Sequence, residues 1–197
     1  MKDFILHRRH ALSKDKCESI IDYFETHKEF QFLGTSGERI EVDPSQKIST
    51  EMVFSFEKGP TWNYVIRHSD VSSIFVEVLK EALNDYKKQY PFIDKGLSPW
   101  TVDPFFKVQK YNPNEGFFVL HCENTSPLED SKRILAWMIY LNDVTDGGYT
   151  EFPFQNKKFQ PRRGDILLWP AHWTHPHRGI TSKSQTKYII TGWYSFR

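Results

Sequence analysis

Tyr111-Asn-Pro-Asn-Glu-Gly-Phe-Phe-Val-Leu-His-Cys-Glu123 is the stretch around which the rest of this chain can be interpreted. Its aromatic and aliphatic run from Phe117 to Leu120 predicts a buried β-strand. Successive side chains of a strand point to opposite faces, so residues two positions apart share a face. The sequence therefore predicts that His121 and Glu123 converge from one strand.

A third metal ligand has to come from another part of the chain. The run Trp173-Thr-His-Pro-His-Arg-Gly179 supplies histidines, and if it is extended, His175 and His177 lie on the same face. Alternation alone therefore leaves both open. Two imidazoles and one carboxylate leave about half of an octahedron vacant, as in non-haem Fe(II) oxygenases. A closed structural zinc site would need a fourth protein ligand.

Length and composition indicate one domain in a reducing compartment. The 197 residues suffice for one core, and we expect a single domain over residues 1–197. The net charge of +1 gives no reason to expect binding to nucleic acid or to an anionic membrane. Cys17 and Cys122 have no disulfide spacing, and no signal peptide or membrane span is evident. We therefore expect a cytoplasmic protein.

Two amphipathic helices are predicted in the first half of the chain. Ser13 can cap a helix that continues to Lys28, and a second helix follows from Val71 to about Tyr90. Both present one apolar face, which indicates that they support a sheet. Residues 1–100 are therefore expected to supply helical support and outer strands.

After Pro91 the pattern changes to short apolar or alternating runs separated by turn signals such as Asp146-Gly147-Gly148. The predicted strands are Phe105–Tyr111, Phe117–Glu123, Arg133–Asn142, Gly148–Phe152, Asp165–Trp169 and Lys187–Tyr194. Strands at such intervals predict a jelly roll or another closed β architecture. We expect residues 105–197 to form the metal-binding core.

The last predicted strand carries a lysine on an apolar face. Lys187, Ile189 and Trp193 share one face by alternation. A buried lysine needs an anionic partner, because an unpaired charge away from water is costly. The carboxylate of a bound small molecule would serve.

Taken together, Tyr111 to Trp193 resembles the Fe(II)/2-oxoglutarate-dependent dioxygenases, and within them the prolyl 4-hydroxylase-like branch. That family has a His-x-Asp/Glu pair, a Gly-Gly-x-Thr-x-Phe turn, a strand that ends in Pro, a distal His, and a Lys or Arg followed six positions later by Trp. The matching residues here are His121, Glu123, Gly147, Gly148, Thr150, Phe152, Pro170, His175, Lys187 and Trp193.

The resemblance implies an α+β, mainly β fold: a double-stranded β-helix core (jelly roll, cupin-like) buttressed by N-terminal helices. It implies Fe(II), with 2-oxoglutarate and O₂ as cosubstrates and ascorbate as a candidate additional cofactor. Lys187 would bind the far carboxylate of 2-oxoglutarate and Tyr111 would hydrogen-bond to this cosubstrate. Tyr140 and Trp193 would complete the pocket.

The distal ligand is chosen by spacing within this resemblance. In the family the ligand follows the strand-ending proline by five positions, which from Pro170 selects His175, whereas counting ten positions back from Lys187 selects His177. We expect His175, because length varies most freely in the polar turn that precedes Lys187. Glu123 stands where most prolyl hydroxylases have Asp, which weakens the assignment to prolyl hydroxylation more than the assignment to iron.

The implied reaction is hydroxylation of an unactivated C–H bond with release of succinate and CO₂. A prolyl residue in a peptide or protein is the expected substrate. A free amino acid or another small molecule is the alternative within the same chemistry. A non-catalytic binding or sensor module of the same fold is a third hypothesis, and the oligomeric state, monomer or homodimer, is left open.

Overall fold

A computed structural model describes residues 2–35, 41–57, 65–67, 70–125 and 129–197. Its α-helices are α1 (Lys14–Thr26), α2 (Asp70–Gln89) and α3 (Phe92–Lys95), with 3₁₀ turns at Lys28–Phe30, Glu129–Lys132 and Pro153–Gln155. Its strands are β1 (Leu6–Arg8), β2 (Phe32–Leu33), β3 (Lys47–Ile48), β4 (Thr50–Ser55), β5 (Val65–Arg67), β6 (Trp100–Tyr111), β7 (Gly116–Phe117), β8 (Arg133–Tyr140), β9 (Thr150–Phe152), β10 (Lys157–Phe159), β11 (Ile166–Pro170), β12 (Arg178–Gly179) and β13 (Lys187–Phe196).

An eight-stranded sheet is the larger layer, with strand order β1-β11-β8-β13-β6-β4-β2 and β5 beside β4. All of its ladders are antiparallel except that between β4 and β5. A three-stranded sheet (β10-β9-β12) and the β3-β7 pair form the opposing layer. Phe152 of β9 and Phe159 of β10 pack in one cluster with Met138, Leu167 and Trp169 of the larger sheet. The predicted jelly roll is confirmed.

The helices cover the outer face of the large sheet. Trp137 and Ile139 of β8 belong to the same buried cluster as Phe24 of α1 and Phe75 of α2, and the rings of Phe75 and Trp137 are 5.6 Å apart. Alternation then turns the neighbouring residues of β8 toward the opposing layer. The helices therefore support the sheet without reaching its inner face, as the sequence predicted.

Several element boundaries differ from the predicted ones. The strand predicted over Phe117–Glu123 is wrong for most of its length: β7 covers only Gly116–Phe117, and beyond it an isolated bridge at His121 is the remaining pairing. The short strands β3, β10 and β12 were not predicted, because two or three residues carry no readable period.

The two cysteines are free in the structure, with Cys17 buried and Cys122 partly buried. Within the described ranges, none of the helices combines the length and the apolar character needed to cross a bilayer. The expected cytoplasmic location stays a prediction.

Gly192 provides a test of the packing in the buried cluster between the large sheet and the helices. It lies opposite Trp137 in the β13–β8 ladder, and a Cβ there would come within 2.4 Å of the indole ring. We expect Gly192→Ala to lower the free energy of unfolding by about 1–3 kcal/mol, because a fully buried ring has to shift. Chemical denaturation measures this. Gly179→Ala is the matched control, since its Cβ would meet the nearest atom at 3.4 Å; equal losses in the two variants would contradict the packing argument.

Candidate metal centre

Backbone pairing brings two histidines side by side. The His121 N–H donates to the His177 carbonyl (3.0 Å) and the His177 N–H donates to the His121 carbonyl (2.8 Å), so the two residues form an antiparallel bridge. The Glu123 N–H donates to the carbonyl of Ala171 at 2.9 Å. These bonds fix three polar side chains at one place in the interior of the jelly roll.

The three side chains form one cluster. Glu123 Oε1 lies 3.2 Å from His177 Nε2 and 3.7 Å from His121 Nε2. One potential ligand atom from each residue lies within 4.8 Å of the others. A cluster of two imidazoles and one carboxylate with such spacing can hold one cation and leave coordination positions open.

Both rings are oriented through their other nitrogen. His121 Nδ1 lies 2.9 Å from the Val119 carbonyl, and His177 Nδ1 lies 3.1 Å from the His175 carbonyl. A carbonyl only accepts, so each Nδ1 donates its N–H to a carbonyl and each Nε2 is the ring nitrogen that faces the cluster. The His121 ring also stacks on Phe117, with centroids 3.7 Å apart. Both histidines are thus set to ligate through Nε2.

The electrostatics of the cluster favour the ligating protonation states. Burial, with a contribution from His177, lowers the pKa of His121 to about 4, so its ring is neutral near pH 7. Burial pushes the pKa of Glu123 upward, but the hydrogen bond and charge of His177 outweigh it and hold that pKa far below its usual range. The cluster therefore presents an ionised Glu123 carboxylate beside a neutral His121 imidazole.

Trp193 fixes the second oxygen of the Glu123 carboxylate, and Arg133 packs against Trp193. Trp193 Nε1 donates to Glu123 Oε2 at 2.8 Å, and the Arg133 guanidinium lies 3.8 Å from the Trp193 ring centroid. Trp193 therefore orients a candidate metal ligand. The sequence placed it on the correct face of β13 without indicating this contact.

The prediction of His175 as the third ligand is wrong, because the structure places His177 in the cluster instead. His175 Nε2 bonds to the Asp3 carbonyl at 2.8 Å and its Nδ1 bonds to the Thr174 hydroxyl at 2.9 Å. The chain turns after Pro170, with the His175 N–H donating to the His172 carbonyl. Counting five positions from Pro170 therefore ends inside a turn, whereas His177 stands in register with His121.

Lys187 occupies the buried position that alternation predicted. It is 5% exposed, its Nζ donates to the Gly148 carbonyl at 3.2 Å, and the amine lies 4.8 Å from the Tyr111 ring centroid. Burial lowers the pKa of Lys187 to about 8. Among the residues that the structure describes, no carboxylate pairs with this amine, so an anionic ligand would be its first counter-charge.

The two tyrosines differ in their access to the site. Tyr111 lines the cavity beside Lys187, and its hydroxyl donates to Gln109 Oε1 at 2.9 Å. Tyr140 is fully buried, and its hydroxyl bonds to Thr150 Oγ1 at 2.6 Å. Thr150 lines the cavity and Tyr140 does not. Tyr140 therefore supports the wall through Thr150 instead of facing a ligand.

A cavity of about 660 Å³ connects these groups to the surface. His121, Glu123, His177 and Lys187 all line it, and Phe105 and Leu120, which are 41% and 47% exposed, lie on its wall. Lys47 and Lys107 also line the cavity, and neither was predicted from the sequence. Alternation along β6 could have found Lys107, because it shares a face with Gln109 and Tyr111.

The comparisons with known proteins agree with this geometry. Residues 106–195 match the family model described as the 2OG-Fe(II) oxygenase superfamily. The chain is therefore similar to that superfamily over the part that carries His121, Glu123, His177 and Lys187, which is less than half of its length. A putative prolyl 4-hydroxylase of Acanthamoeba polyphaga mimivirus is 31% identical over 107 residues, which cover 46% of this chain and 44% of the relative. The chain therefore spans less than half of the length of that relative.

Solved structures of prolyl hydroxylases share the fold. A viral collagen prolyl hydroxylase from Paramecium Bursaria Chlorella virus-1, solved with 2-oxoglutarate, aligns with TM-score 0.68 and 18% identity over 98% of this chain and 97% of that chain. A Trichoplax adhaerens prolyl hydroxylase, in complex with a peptide fragment of hypoxia inducible factor, aligns with TM-score 0.69 and 14% identity over 98% and 84%. At these identities the similarity establishes the architecture.

Metal binding tests the choice between the two histidines. We expect His177→Ala to weaken Fe(II) or Mn(II) binding more than about 100-fold, which exceeds the usual effect of losing an outer hydrogen-bond partner. His175→Ala should bind metal like the wild type, because it keeps the backbone carbonyl that orients His177. Equilibrium dialysis with metal analysis measures both. Loss of binding in His175→Ala with retention in His177→Ala would reverse the assignment.

Proposed function

We propose that this protein is an Fe(II)- and 2-oxoglutarate-dependent dioxygenase that hydroxylates a prolyl residue of a peptide or protein. The observation that carries the proposal is the placement of two complementary groups in one cavity. The His121–Glu123–His177 cluster presents three ligand atoms within 4.8 Å. The buried amine of Lys187, which needs an anion, lines the same cavity. Metal and cosubstrate are implied by the superfamily, and the residues present fit both.

The fit to iron depends on the chemistry of the donor set. His121 and His177 would ligate through Nε2, since their Nδ1 atoms are occupied by carbonyls, and Glu123 would ligate through Oε1, since Trp193 holds Oε2. Imidazole and carboxylate together suit a divalent iron. Three protein ligands leave positions for a cosubstrate, which a closed four-ligand site would not.

The fit to 2-oxoglutarate depends on Lys187. Its ammonium would pair with one carboxylate of the dianion in a region where water is scarce and a charge-assisted hydrogen bond is strong. Tyr111 forms the adjacent wall, and the Gly148 carbonyl orients the amine. Gly148 adopts φ +71°, and a Cβ at this position would come within 2.9 Å of Val144, so the turn that presents this carbonyl requires glycine.

Iron with 2-oxoglutarate and O₂ would supply the oxidising chemistry that inserts oxygen into a C–H bond while succinate and CO₂ are released. The chain itself does three things. Glu123 and the two histidines would hold the metal, Lys187 would anchor the cosubstrate, and Trp193 fixes the Glu123 carboxylate. A requirement for ascorbate stays a prediction.

The substrate is proposed from the cavity entrance and the relatives. Phe105, Val119 and Leu120 are exposed along the cavity wall, and such apolar side chains favour an extended ligand that continues beyond the cavity. The Trichoplax neighbour was solved with a peptide. A prolyl peptide therefore fits better than a free amino acid, the runner-up. The hypothesis of a non-catalytic binding or sensor module is disfavoured, because the His121–Glu123–His177 cluster and Lys187 occur together in one cavity.

We further propose that residues 1–197 act as one domain. The strands β1, β2, β4 and β5 come from the first half of the chain but belong to the same sheet as β6, β8, β11 and β13. Removing the first half would therefore leave the outer face and both edges of the sheet uncovered.

Turnover tests the proposed function. With Fe(II), O₂ and 2-oxoglutarate, the purified chain should release succinate slowly alone and faster with a substrate from a panel of proline-rich peptides and free amino acids. Mass spectrometry should find a product heavier by one oxygen atom. His121→Ala should show neither signal. Succinate release that persists in His121→Ala, or an enzyme that never consumes 2-oxoglutarate, would contradict the proposal.

The proposed role of Lys187 predicts how the affinity for 2-oxoglutarate depends on this amine. Calorimetric titration of 2-oxoglutarate without oxygen should give a dissociation constant at least about tenfold higher for Lys187→Met, because a charge-assisted bond is lost. In the wild type the affinity for 2-oxoglutarate should not change with pH below pH 8. Above pH 8 it should decrease, at the limit by about tenfold for each pH unit, because the amine has a pKa of about 8 and must be protonated to bind.

Lys187→Arg is the control for this pH dependence. Its guanidinium stays charged over the whole range, so any binding that it retains should not fall above pH 8. The same decline in Lys187→Arg, or unchanged affinity in Lys187→Met, would remove Lys187 from the cosubstrate site.

A further inference from the structure

A second group of charges lies at the cavity wall, outside the His121–Glu123–His177 cluster and apart from Lys187. We name it the Glu51 cluster: Glu51, Lys47, Lys107, Gln109 and Ser49. Glu51 Oε1 accepts from Lys47, from Gln109 Nε2 (3.0 Å) and from Ser49 Oγ (3.0 Å), while Oε2 accepts from Lys107 Nζ at 2.9 Å. The carboxylate is completely buried, and its acceptor capacity is almost filled.

The sheet register places this cluster at the cavity. Lys107 pairs with Thr191 of β13 on one side and with Val53 of β4 on the other, and all three residues line the cavity. Lys47 belongs to the opposing layer, where it pairs with Phe117 of β7, the residue on which His121 stacks. The cluster therefore joins the two layers beside the candidate metal centre.

The charges of the cluster do not balance. Two lysines share one carboxylate, which leaves a net charge of +1 if all three groups are ionised. Burial lowers the pKa of Lys47, and the neighbouring Lys107 lowers it further, while Glu51 opposes both effects. An additional anion would relieve the repulsion between the two amines. In the described part of the chain, no second carboxylate forms an ion pair with either amine, although the Glu123 carboxylate raises the pKa of Lys47 from a greater distance.

Lys107 is the member that can reach a ligand. An ammonium has three N–H donors, and Lys107 Nζ donates one of them to Glu51 Oε2. Its side chain is 24% exposed, in contrast to 4% for Lys47. Phe105, two residues nearer the start of β6, is exposed on the same wall. Lys107 therefore stands between the exposed part of the wall and the deeper Gln109 and Tyr111.

Stability alone does not account for this arrangement. Burying an ion pair usually contributes no more than apolar side chains of similar volume would, because desolvation offsets the attraction. The inner-face positions around the cluster are otherwise occupied by residues such as Met138 and Ile189. A group of three charges that faces a cavity is better explained by a ligand than by packing.

Lys107 and Lys187 occupy separate positions along the cavity. Lys187 pairs with Tyr111, which is four residues from Lys107 along β6, so the two positions are separated by about 13 Å of strand. The Lys187 end is deep and nearly inaccessible, whereas Lys107 faces the path from the exterior. Two separate anchors indicate two separate anions.

We propose that Lys107, held by Glu51, binds a carboxylate of the substrate, so that this protein selects substrates with an acidic group close to the hydroxylated carbon. The carboxylate can belong to an aspartate or glutamate beside the target proline of a peptide, or to a free amino acid. The inference rests on the proposed function and specifies its substrate class.

Binding without turnover tests it. The full chain, with Fe(II) and 2-oxoglutarate but no oxygen, is titrated calorimetrically with two matched pairs of probes. One pair is L-proline and L-prolinamide. The other is a blocked proline-rich peptide with aspartate after its central proline and the same peptide with asparagine. In at least one pair the carboxylate member should bind about tenfold more tightly or better, and the pair that shows this identifies the source.

Variants of Lys107 connect the preference to the cluster. In Lys107→Met the carboxylate and amide members should bind equally, whereas Lys107→Arg should keep the preference because it keeps the charge. Lys110→Met is the matched control: Lys110 lies on the same strand with 22% exposure and an ion pair, but its partner is Glu25 of α1, on the outer face. This variant should keep the preference of the wild type.

The outcomes separate the two proposals. If the wild type binds 2-oxoglutarate and releases succinate, the proposed function stands, and the inference is overturned by any of four results: no probe binds, both members of each pair bind equally, the preference survives in Lys107→Met, or Lys107→Met weakens 2-oxoglutarate instead. If 2-oxoglutarate neither binds nor turns over, the proposed function fails whatever the probes do.

Discussion

The side-chain alternation of β8 and β13 is the constraint on which the rest of the structure depends. These two strands pair at the centre of the large sheet, and every second residue of each is committed to the outer core under α1 and α2. Trp137, Ile139 and Ile190 occupy that core. The intervening residues have to face the opposing layer, and a slip of one residue would exchange the two sets. Lys187 points inward because its neighbours in the ladder are held outward.

This constraint explains why the cavity contains charges at all. A lysine amine that is 5% exposed and has no carboxylate partner among the described residues costs free energy, and its pKa of about 8 is the measure of that cost. Burial therefore opposes the charged form of Lys187, but a pKa of about 8 leaves its amine mostly protonated near pH 7, so it can pair with an anion. Glu123 is in the opposite situation, since His177 and Trp193 already stabilise its ionised form. One side of the cavity is thus prepared for a cation and the other for an anion.

The sequence predicted those features that depend on local periodicity. The two long helices, the inward face of β13, and the convergence of His121 with Glu123 follow from spacing within one segment. The distal histidine could not be chosen in this way, because the turn between His172 and His175 resets the count and the register of His177 is set by its bridge to His121. The Glu51 cluster was invisible for a similar reason. Lys47, Glu51 and Lys107 lie on three strands whose pairing is non-local.

Lys187 and Lys107 differ in whether a carboxylate already neutralises the amine, and this difference suits them to different ligands. Within the described ranges Lys187 has no counter-charge to give up, so an anion that reaches it gains the full attraction, because folding has already met the cost of burying the amine. Lys107 is already paired with Glu51, so a second anion gains less and is released more readily. Under the two proposals, the deep site would hold the cosubstrate that every reaction cycle needs. The outer site would discriminate among substrates that have to enter, react and leave, and discrimination there would not require tight binding.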